Sequence, residues 1–431
     1  MNQIFFLIVL VSFAAAGWQQ IFEVSPEGAA SPMERLSQAM VQSAGSSVEL
    51  AIGLIGVMTL FLGLMKVAEQ GGMLTILARL IRPVMVRLFP DVPPEHPAMG
   101  AMILNMSANA MGLGNAATPF GIRAMQELDK LNPKPGTATN AMALFLAINT
   151  SSVTLLPTGV IALRAAAGSH NPAGILPTTL FATICSTVAA IIAAKAYQRL
   201  SIQNDPGQNE GMAKEGSSSE ADDKSDSIEQ IGSYPLWVSL LALLCLAGLI
   251  PVTILYGKEI SPWVIPGLMV AFLSFGVFRR VRIYEVFVDG AKDGFQVAVK
   301  IIPYLVAILV AVGMFRASSA LEAMVHWLGR WTAYVGLPAE ALPMALLRPL
   351  SGSGAYGILA SIIKDPSIGP DSYTGYLVST LQGSTETTFY VVAVYFGAVQ
   401  VRSLRHTLGA ALTADLVAVM ASVAICAFLY G

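Results

Sequence analysis

The chain has 431 residues, 55% of them hydrophobic and only 12% charged, with a formal net charge of −2. A soluble domain carries about 25% charged residues, so this composition specifies an integral membrane protein. The near-neutral balance, without a basic stripe, excludes nucleic acid as a partner.

About twenty apolar residues span a bilayer, and the candidate spans run in chain order. Ile4–Trp18 opens the chain. Ala14-Ala15-Ala16-Gly17 is similar to a signal-peptide cleavage site, but no Lys or Arg precedes the apolar run, so the segment reads as a retained anchor. Residues 17–46 follow as an external segment, with Glu23, Glu27 and Glu34 against a single Arg35. Val48–Lys66 is the next span, then a basic amphipathic stretch at Leu77–Leu88. Pro97–Ala124 is apolar but broken by Gly, Asn, Ser and Pro, and reads as a re-entrant or broken helical hairpin. Ala141–Leu163 is a span interrupted by polar residues, and Gly174–Tyr197 closes the first half.

Composition then changes. Residues 201–232 carry Gly216-Ser217-Ser218-Ser219 with Asp222, Asp223, Asp226 and Glu229, a polar, acidic linker with too little apolar content to bury a core. Two connecting spans follow, Tyr234–Tyr256 and Trp263–Phe278, within residues 233–294. The second half repeats the order of the first: span Phe295–Phe315, amphipathic Leu321–Val335, broken hairpin Leu342–Ile363, interrupted span Gly375–Val399 and closing span Thr407–Tyr430. The domains are therefore 1–46 (anchor and external segment), 47–200 (first repeat), 201–232 (linker), 233–294 (connecting helices) and 295–431 (second repeat).

Positive charge orients the chain. Arg279, Arg280, Arg282 and Lys292 mark their loop as cytoplasmic. Counting spans from there puts the linker and the basic residues Arg79, Arg82, Arg87, Arg123, Lys130, Lys134, Arg402 and Arg405 inside. Arg164, Arg316, Arg330 and Lys364 fall outside, against the rule. On this count Val48–Lys66 and Phe295–Phe315 cross in opposite directions, so the repeats are inverted. The expected fold is an all-α polytopic membrane protein of two inverted repeats, each with a broken hairpin and an unwound transmembrane helix, an architecture common among secondary transporters.

Four polar strings interrupt these apolar segments: Asn105-Met106-Ser107-Ala108-Asn109, Asn149-Thr150-Ser151-Ser152-Val153-Thr154, Arg348-Pro349-Leu350-Ser351-Gly352-Ser353-Gly354 and Gln382-Gly383-Ser384-Thr385-Glu386-Thr387-Thr388. Hydrocarbon supplies no hydrogen bonds, so such residues persist there only facing protein, water or solute. The first pair, with Asn115-Ala116-Ala117-Thr118-Pro119-Phe120-Gly121, resembles spore maturation protein A. The second pair, through Phe389-Tyr390, resembles spore maturation protein B. Both belong to the nucleoside-recognition, or gate-domain, family, which is distantly similar to concentrative nucleoside transporters. The resemblance implies two hairpins and two unwound helices around a solute and a coupling cation; a sporulation name specifies no chemistry.

The candidate solute-binding residues are Asn105, Ser107, Asn109, Asn115, Asn149, Ser151, Arg348, Ser351, Ser353, Gln382, Ser384 and Glu386. The candidate ion-coupling residues are Thr150, Ser152, Thr154, Thr385, Glu386 and Thr387, because hydroxyls and freed carbonyls suit a hard cation. Glu386 is the only acidic residue between Gly375 and Val399. At that depth it needs a cation, a proton or an arginine, and pairing with Arg348 as a structural bridge is the competing reading. Arg348 presents a planar fork for a carboxylate or phosphate, or caps backbone carbonyls freed at Pro349 and Gly352. Serines and glycines also pack helices, and Ser or Thr hydroxyls also bond back to their own helix. Tyr356 and Tyr390 are candidate stacking residues, although aromatics near helix ends more often anchor or pack.

His96, His170, His326 and His406 are scattered, and Cys185, Cys245 and Cys426 sit in apolar runs without ligand spacing. No phosphate-binding glycine loop with Lys-Ser/Thr appears. No metal or cofactor beyond Na⁺ or H⁺ is therefore expected, and no nucleophile–base pair points to an enzyme. The function read from the sequence is secondary transport of a small polar solute (nucleoside-like, amino-acid-like or a small organic acid) across the cytoplasmic membrane, coupled to H⁺ or Na⁺. The alternative is a non-transporting scaffold that regulates spore maturation or envelope hydration. Membrane lipid is the other expected partner, and homo-oligomerisation follows by analogy only.

Overall fold

The computed structural model describes residues 2–22, 30–112, 114–203, 265–320 and 332–431, with isolated positions between 234 and 263 and at 323 and 327. The linker, apart from its first residues, most of the first connecting span and most of the amphipathic stretch Leu321–Val335 lie outside the described residues. The elements are helical. Asn2–Phe22 (α1) precedes Pro32–Gln70 (α2) and Met73–Leu88 (α3). Pro97–Ala110 (α4) and Gly114–Lys130 (α5) form the first hairpin. Asn140–Thr150 (α6) and Thr158–Ala166 (α7) form the first broken helix, and Leu176–Gln203 (α8) closes the repeat. Ile265–Phe278 (α9) leads into Ile283–Ala317 (α10). Leu342–Leu347 (α11) and Gly352–Ile363 (α12) form the second hairpin, Tyr373–Ser384 (α13) and Thr388–Ala398 (α14) the second broken helix, and Thr407–Tyr430 (α15) the closing span.

Local chemistry sets the boundaries. α2 starts at Pro32 because Ser31 and Glu34 form a reciprocal capping box, in which Ser31 Oγ accepts from the Glu34 N–H and the Glu34 carboxylate accepts from the Ser31 N–H at 2.9 Å. Thirty-nine residues at 1.5 Å each give a helix of roughly 58 Å. Residues 32–46, expected as an external segment, thus extend the span predicted at Val48–Lys66. The chain then bends by 68° into α3 at Gly71–Gly72. Gly72 takes φ 86°, a left-handed conformation open to glycine. Arg279 Nε donates to the Gly71 carbonyl at 2.6 Å, capping the exposed end of α2.

The inverted repeat is legible in three antiparallel packings between corresponding elements. Along α2 and α10, Gly290 packs on Leu62–Lys66, Gly294 on Met58–Thr59 and Gly313 on Ser43. A β-carbon at Gly294 would fall 2.7 Å from Thr59 Cα, so this crossing needs glycine for the backbones to approach. Along α8 and α15, Ser186 Oγ donates to Ala414 O and Tyr197 Oη bonds Thr413 Oγ1, while Tyr430 Oη donates to Gly174 O beyond the start of α8.

The broken helices are paired the same way, head to tail. At one end, Arg164 of α7 donates to Pro370 O at 2.6 Å and Asp371 Oδ1 at 2.9 Å, just before α13. At the other, Arg405, after α14, donates to Ala138 O and Asn140 Oδ1 at 3.1 Å, at the start of α6. Arg402 N–H donates to Gly136 O there, and Thr137 and Ser403 form an isolated bridge.

These ties explain two of the four outer arginine and lysine exceptions. Arg164 is fully buried and also donates to Ser379 Oγ, Ser169 Oγ and Asn171 O, with its guanidinium 4.2 Å from the Tyr376 ring centre. Arg316 pairs with Asp365 at 2.8 Å. A partnered arginine serves tertiary structure, so it carries little topological signal.

Candidate functional site

Both predicted interrupted spans are broken, for different reasons. In the first, residues 151–157 leave the helix ahead of Pro157, which lacks an N–H and disfavours helix in the residue before it. In the second there is no proline; Thr385 turns extended at φ −142°, ψ 164°. The two breaks meet. Glu386 N–H donates to Thr150 O at 2.8 Å, Leu155 N–H donates to Ala110 O at the tip of the first hairpin, and Phe389 N–H donates to Pro349 O at the tip of the second. Backbone freed from the helices is therefore satisfied by the opposite break or by a hairpin.

The first break is lined by amides. Asn105 of α4 donates to Ala117 O at 2.7 Å and to Tyr395 Oη at 3.1 Å. Asn149 of α6 donates to Asn105 Oδ1 and accepts from Asn109 Nδ2 at 3.2 Å and from Tyr395 Oη at 3.4 Å. All four residues are buried. The cluster joins the first hairpin, the first broken helix and, through Tyr395, the second broken helix. Asn115 starts α5, but its side chain lies outside the described residues. Ser107 Oγ bonds back to Ile103 O, and Thr150 and Ser151 hydroxyls both bond Ala147 O, so these three serve their own helices. Thr154 Oγ1 donates to Ser152 O at 3.3 Å, and Ser152 is buried beside it.

The second break is charged. Arg348, buried at the C-terminal end of α11, donates to Thr387 Oγ1 at 3.2 Å and to Thr385 O. Its Nη2 lies 3.9 Å from Glu386 Oε2, whose side chain is 45% exposed. Arg348 thus caps a carbonyl of the facing break rather than those of its own loop. The guanidinium therefore holds oxygens of two of the expected ion-coupling residues, Thr385 and Thr387. Ser351 caps α12 by accepting from the Gly354 N–H at 3.0 Å. Ser353 follows in the first turn of that helix, partly buried. A β-carbon at Gly352 would sit 2.8 Å from Thr387 Oγ1, so the loop approaches the break as only glycine allows. Ser384 Oγ bonds Leu381 O, and buried Gln382 has no described partner for its Oε1. Tyr356 packs against Gly159 of α7; Tyr390 is exposed.

Two further residues belong here. Tyr395 carried no sequence signal beyond a hydroxyl in an apolar run. Asp415 did: it is the only acidic residue of Thr407–Tyr430, the same argument that singles out Glu386. Its Oδ2 accepts from Thr388 Oγ1 at 2.7 Å, and it lines a cavity of about 10 Å³ with Arg348, Pro349, Ser384 and Thr385. A larger cavity, about 770 Å³, lies apart from both breaks and is mainly apolar, lined by Leu7 and Val11 of α1, Phe315 of α10 and Leu346 and Ile362 of the second hairpin. Among the described residues no group of three or more His, Cys, Asp or Glu is placed to hold a metal ion.

Comparison with known proteins agrees with this architecture. Residues 51–167 and 298–402, together just over half of the chain, match the Gate family, described as nucleoside recognition. Spore maturation protein A of Bacillus subtilis (strain 168) is 46% identical over 160 residues, covering 37% of this chain and 82% of that protein. Spore maturation protein B of the same organism is 44% identical over 177 residues, covering 40% of this chain and 98% of that protein. Inner membrane protein YjiG of Escherichia coli (strain K12) is 31% identical over 84 residues, 19% of this chain and 55% of that protein. No solved structure matches the chain significantly. The two matched segments enclose the two hairpins and the two broken helices, and on that ground the chain belongs to the Gate family of membrane proteins.

Proposed function

We propose that this chain is a secondary transporter of the cytoplasmic membrane, moving a small polar solute (nucleoside-like, amino-acid-like or a small organic acid) with H⁺ or Na⁺. The observation that carries the reading is the crossing of the breaks, where Glu386 N–H meets Thr150 O while asparagines gather on one side and Arg348 with Glu386 on the other. Discontinuous helices meeting between inverted halves are how secondary transporters build a site that can face either side. Bonds this local, between backbone ends rather than continuous helices, can be exchanged for bonds to a solute. In this reading Asn105, Asn109, Asn149, Ser353, Gln382 and Arg348 contact the solute, and Glu386 takes part in coupling. The linker and basic loops face the cytoplasm.

The test is flux in proteoliposomes loaded with a panel of nucleosides, amino acids and small acids, with and without imposed proton and sodium gradients. Gradient-dependent uptake that Glu386→Gln uncouples supports transport; no movement of any solute under any gradient overturns it. A second reading, a scaffold that regulates spore maturation or envelope hydration, draws on the names of two relatives. It predicts that Glu386→Gln and Ser353→Ala leave the cellular phenotype intact while truncation of residues 201–232 abolishes it. Transport predicts the reverse.

A further inference from the structure

We infer that Asp415 holds a proton inside the protein and is the proton-coupling group of the second break; its role in coupling rests on the transport reading, but the proton itself is measurable without transport. The argument begins with burial. Asp415 lies about a third of the way along α15, 6% exposed. Thr388 Oγ1 donates to Oδ2 at 2.7 Å, whereas Oδ1 has no partner among the described residues and is buried. A carboxylate left with one oxygen unpaired in an apolar interior is costly unless it is neutralised.

The charges nearby do not balance without a proton. The elements packed against α15 present Thr388 from α14, Ser384 from α13 and Ser186 from α8, all neutral, and α6, which also packs on α15, carries no ionisable side chain. The charged groups at the break are Arg348, which lines the same cavity as Asp415, and Glu386, 3.9 Å from Arg348. Among the described residues one guanidinium serves two carboxylates, and it lies within ion-pair distance of half-exposed Glu386 rather than of buried Asp415, so Asp415 lacks a full positive charge of its own.

A sodium ion does not suit the vacancy. Hard cations take about six or more oxygen ligands. This cavity is bounded largely by Ala345, Pro349, Leu381, Ala418 and Val419, and beyond the Asp415 carboxylate it offers a cation little more than Ser384 Oγ and the Thr385 carbonyl that Arg348 already holds, too few oxygens to complete a shell. A proton on Oδ1 supplies the charge, and a cavity of about 10 Å³ has room for about one water to accept from it.

The coupling step is then a proton transfer. The Asp415 O–H bond breaks, the proton leaves through the cavity water to bulk solvent, and the carboxylate left behind is compensated when Arg348 turns from Glu386 toward it. Arg348 thereby reports the protonation of Asp415 to the break that would hold solute. Rebinding of a proton returns Arg348 to Glu386.

The test is infrared difference spectroscopy of the purified full-length protein in detergent, titrated from neutral to alkaline pH in choline chloride. The expected result is a protonated-carboxyl C=O band at neutral pH that disappears on alkalinisation, is lost in Asp415→Asn and persists in Glu386→Gln. Thr388→Val, which keeps the carboxyl but removes the hydroxyl donating to Oδ2, is expected to move the band to higher frequency and serves if Asp415→Asn does not fold. No band in the unsubstituted protein, a band surviving Asp415→Asn, or no response to Thr388→Val overturns the assignment. Loss of the band on replacing choline by sodium overturns it in favour of a sodium site. A band without flux of any solute would sink the transport reading and leave the proton on Asp415; flux without the band would do the opposite.

Discussion

The two breaks occupy corresponding places in the repeats, yet one is neutral and closed on itself while the other is charged and unevenly satisfied. At the first, Asn105, Asn109 and Asn149 bond one another and Tyr395, so the amides spend their donors and acceptors internally. At the second, Arg348 spreads over Thr385, Thr387 and Glu386, and Asp415 has one oxygen without a partner among the described residues. Inversion duplicates backbone geometry and leaves each copy free to carry its own electrostatics. A neutral amide cluster gives rigidity at modest cost when its buried polar groups bond one another. A charged cluster with one deficit responds to protons and ions.

Substitutions at and around the two breaks test that contrast. The largest effect is expected at the tie holding the breaks in register. Arg164→Ala strips a fully buried guanidinium and leaves Asp371 without its cation, so purified protein should lose about 3–5 kcal/mol of stability, read as a large drop in thermal midpoint. Asn149→Leu comes next. It orphans Asn105 Oδ1 and the Asn109 amide, at about 1–3 kcal/mol for each buried group left unpaired. Should Asn149→Leu melt like the unsubstituted protein, the neutral cluster is not structural. Tyr395→Phe keeps the ring and removes only the hydroxyl, for which about 0.5–1.5 kcal/mol is expected, and its effect should be non-additive with Asn149→Leu in a double-mutant cycle. Glu386→Gln, half-exposed and 3.9 Å from its partner, should change the melting temperature little, within about 0.5 kcal/mol, so any loss of coupled flux it causes is functional.

The smallest effect is a pH dependence. Burial pushes the Asp371 carboxyl upward, but Ser169, the His170 N–H and Arg164 together outweigh it and hold the group below its ordinary value. A depressed carboxylate contributes stability that is present above the unfolded pKa, about 3.9, and is lost as pH falls through the lower folded value. Thermal midpoints should therefore decline below about pH 4, and less steeply in Asp371→Asn, when both are followed across that range.

Much of the architecture was legible in the chain. The spans at Ile4–Trp18, Gly174–Tyr197 and Thr407–Tyr430, both broken hairpins and both interrupted spans could be read because hydrocarbon tolerates polar residues only where protein encloses them. That rule also named Asn105, Asn109, Asn149, Arg348 and Glu386 as residues that meet at the breaks, and applied to every span it names Asp415. It could not place Tyr395, whose ring is as acceptable in lipid as against a helix, nor show that Arg164 is buried, because a lone arginine beside a predicted loop looks the same whether solvated or clamped. It could not separate hydroxyls that face the break from Ser107, Thr150 and Ser151, which bond their own helices, since both uses have the same sequence. Which segments are apolar, where each is interrupted and which charges each repeat carries are local properties, readable residue by residue along the chain. That the two interruptions touch, that Arg348 meets the carbonyl of the facing break and that Asp415 Oδ1 finds no partner among the described residues depend on contacts between residues far apart in the chain, and these come from the folded structure alone.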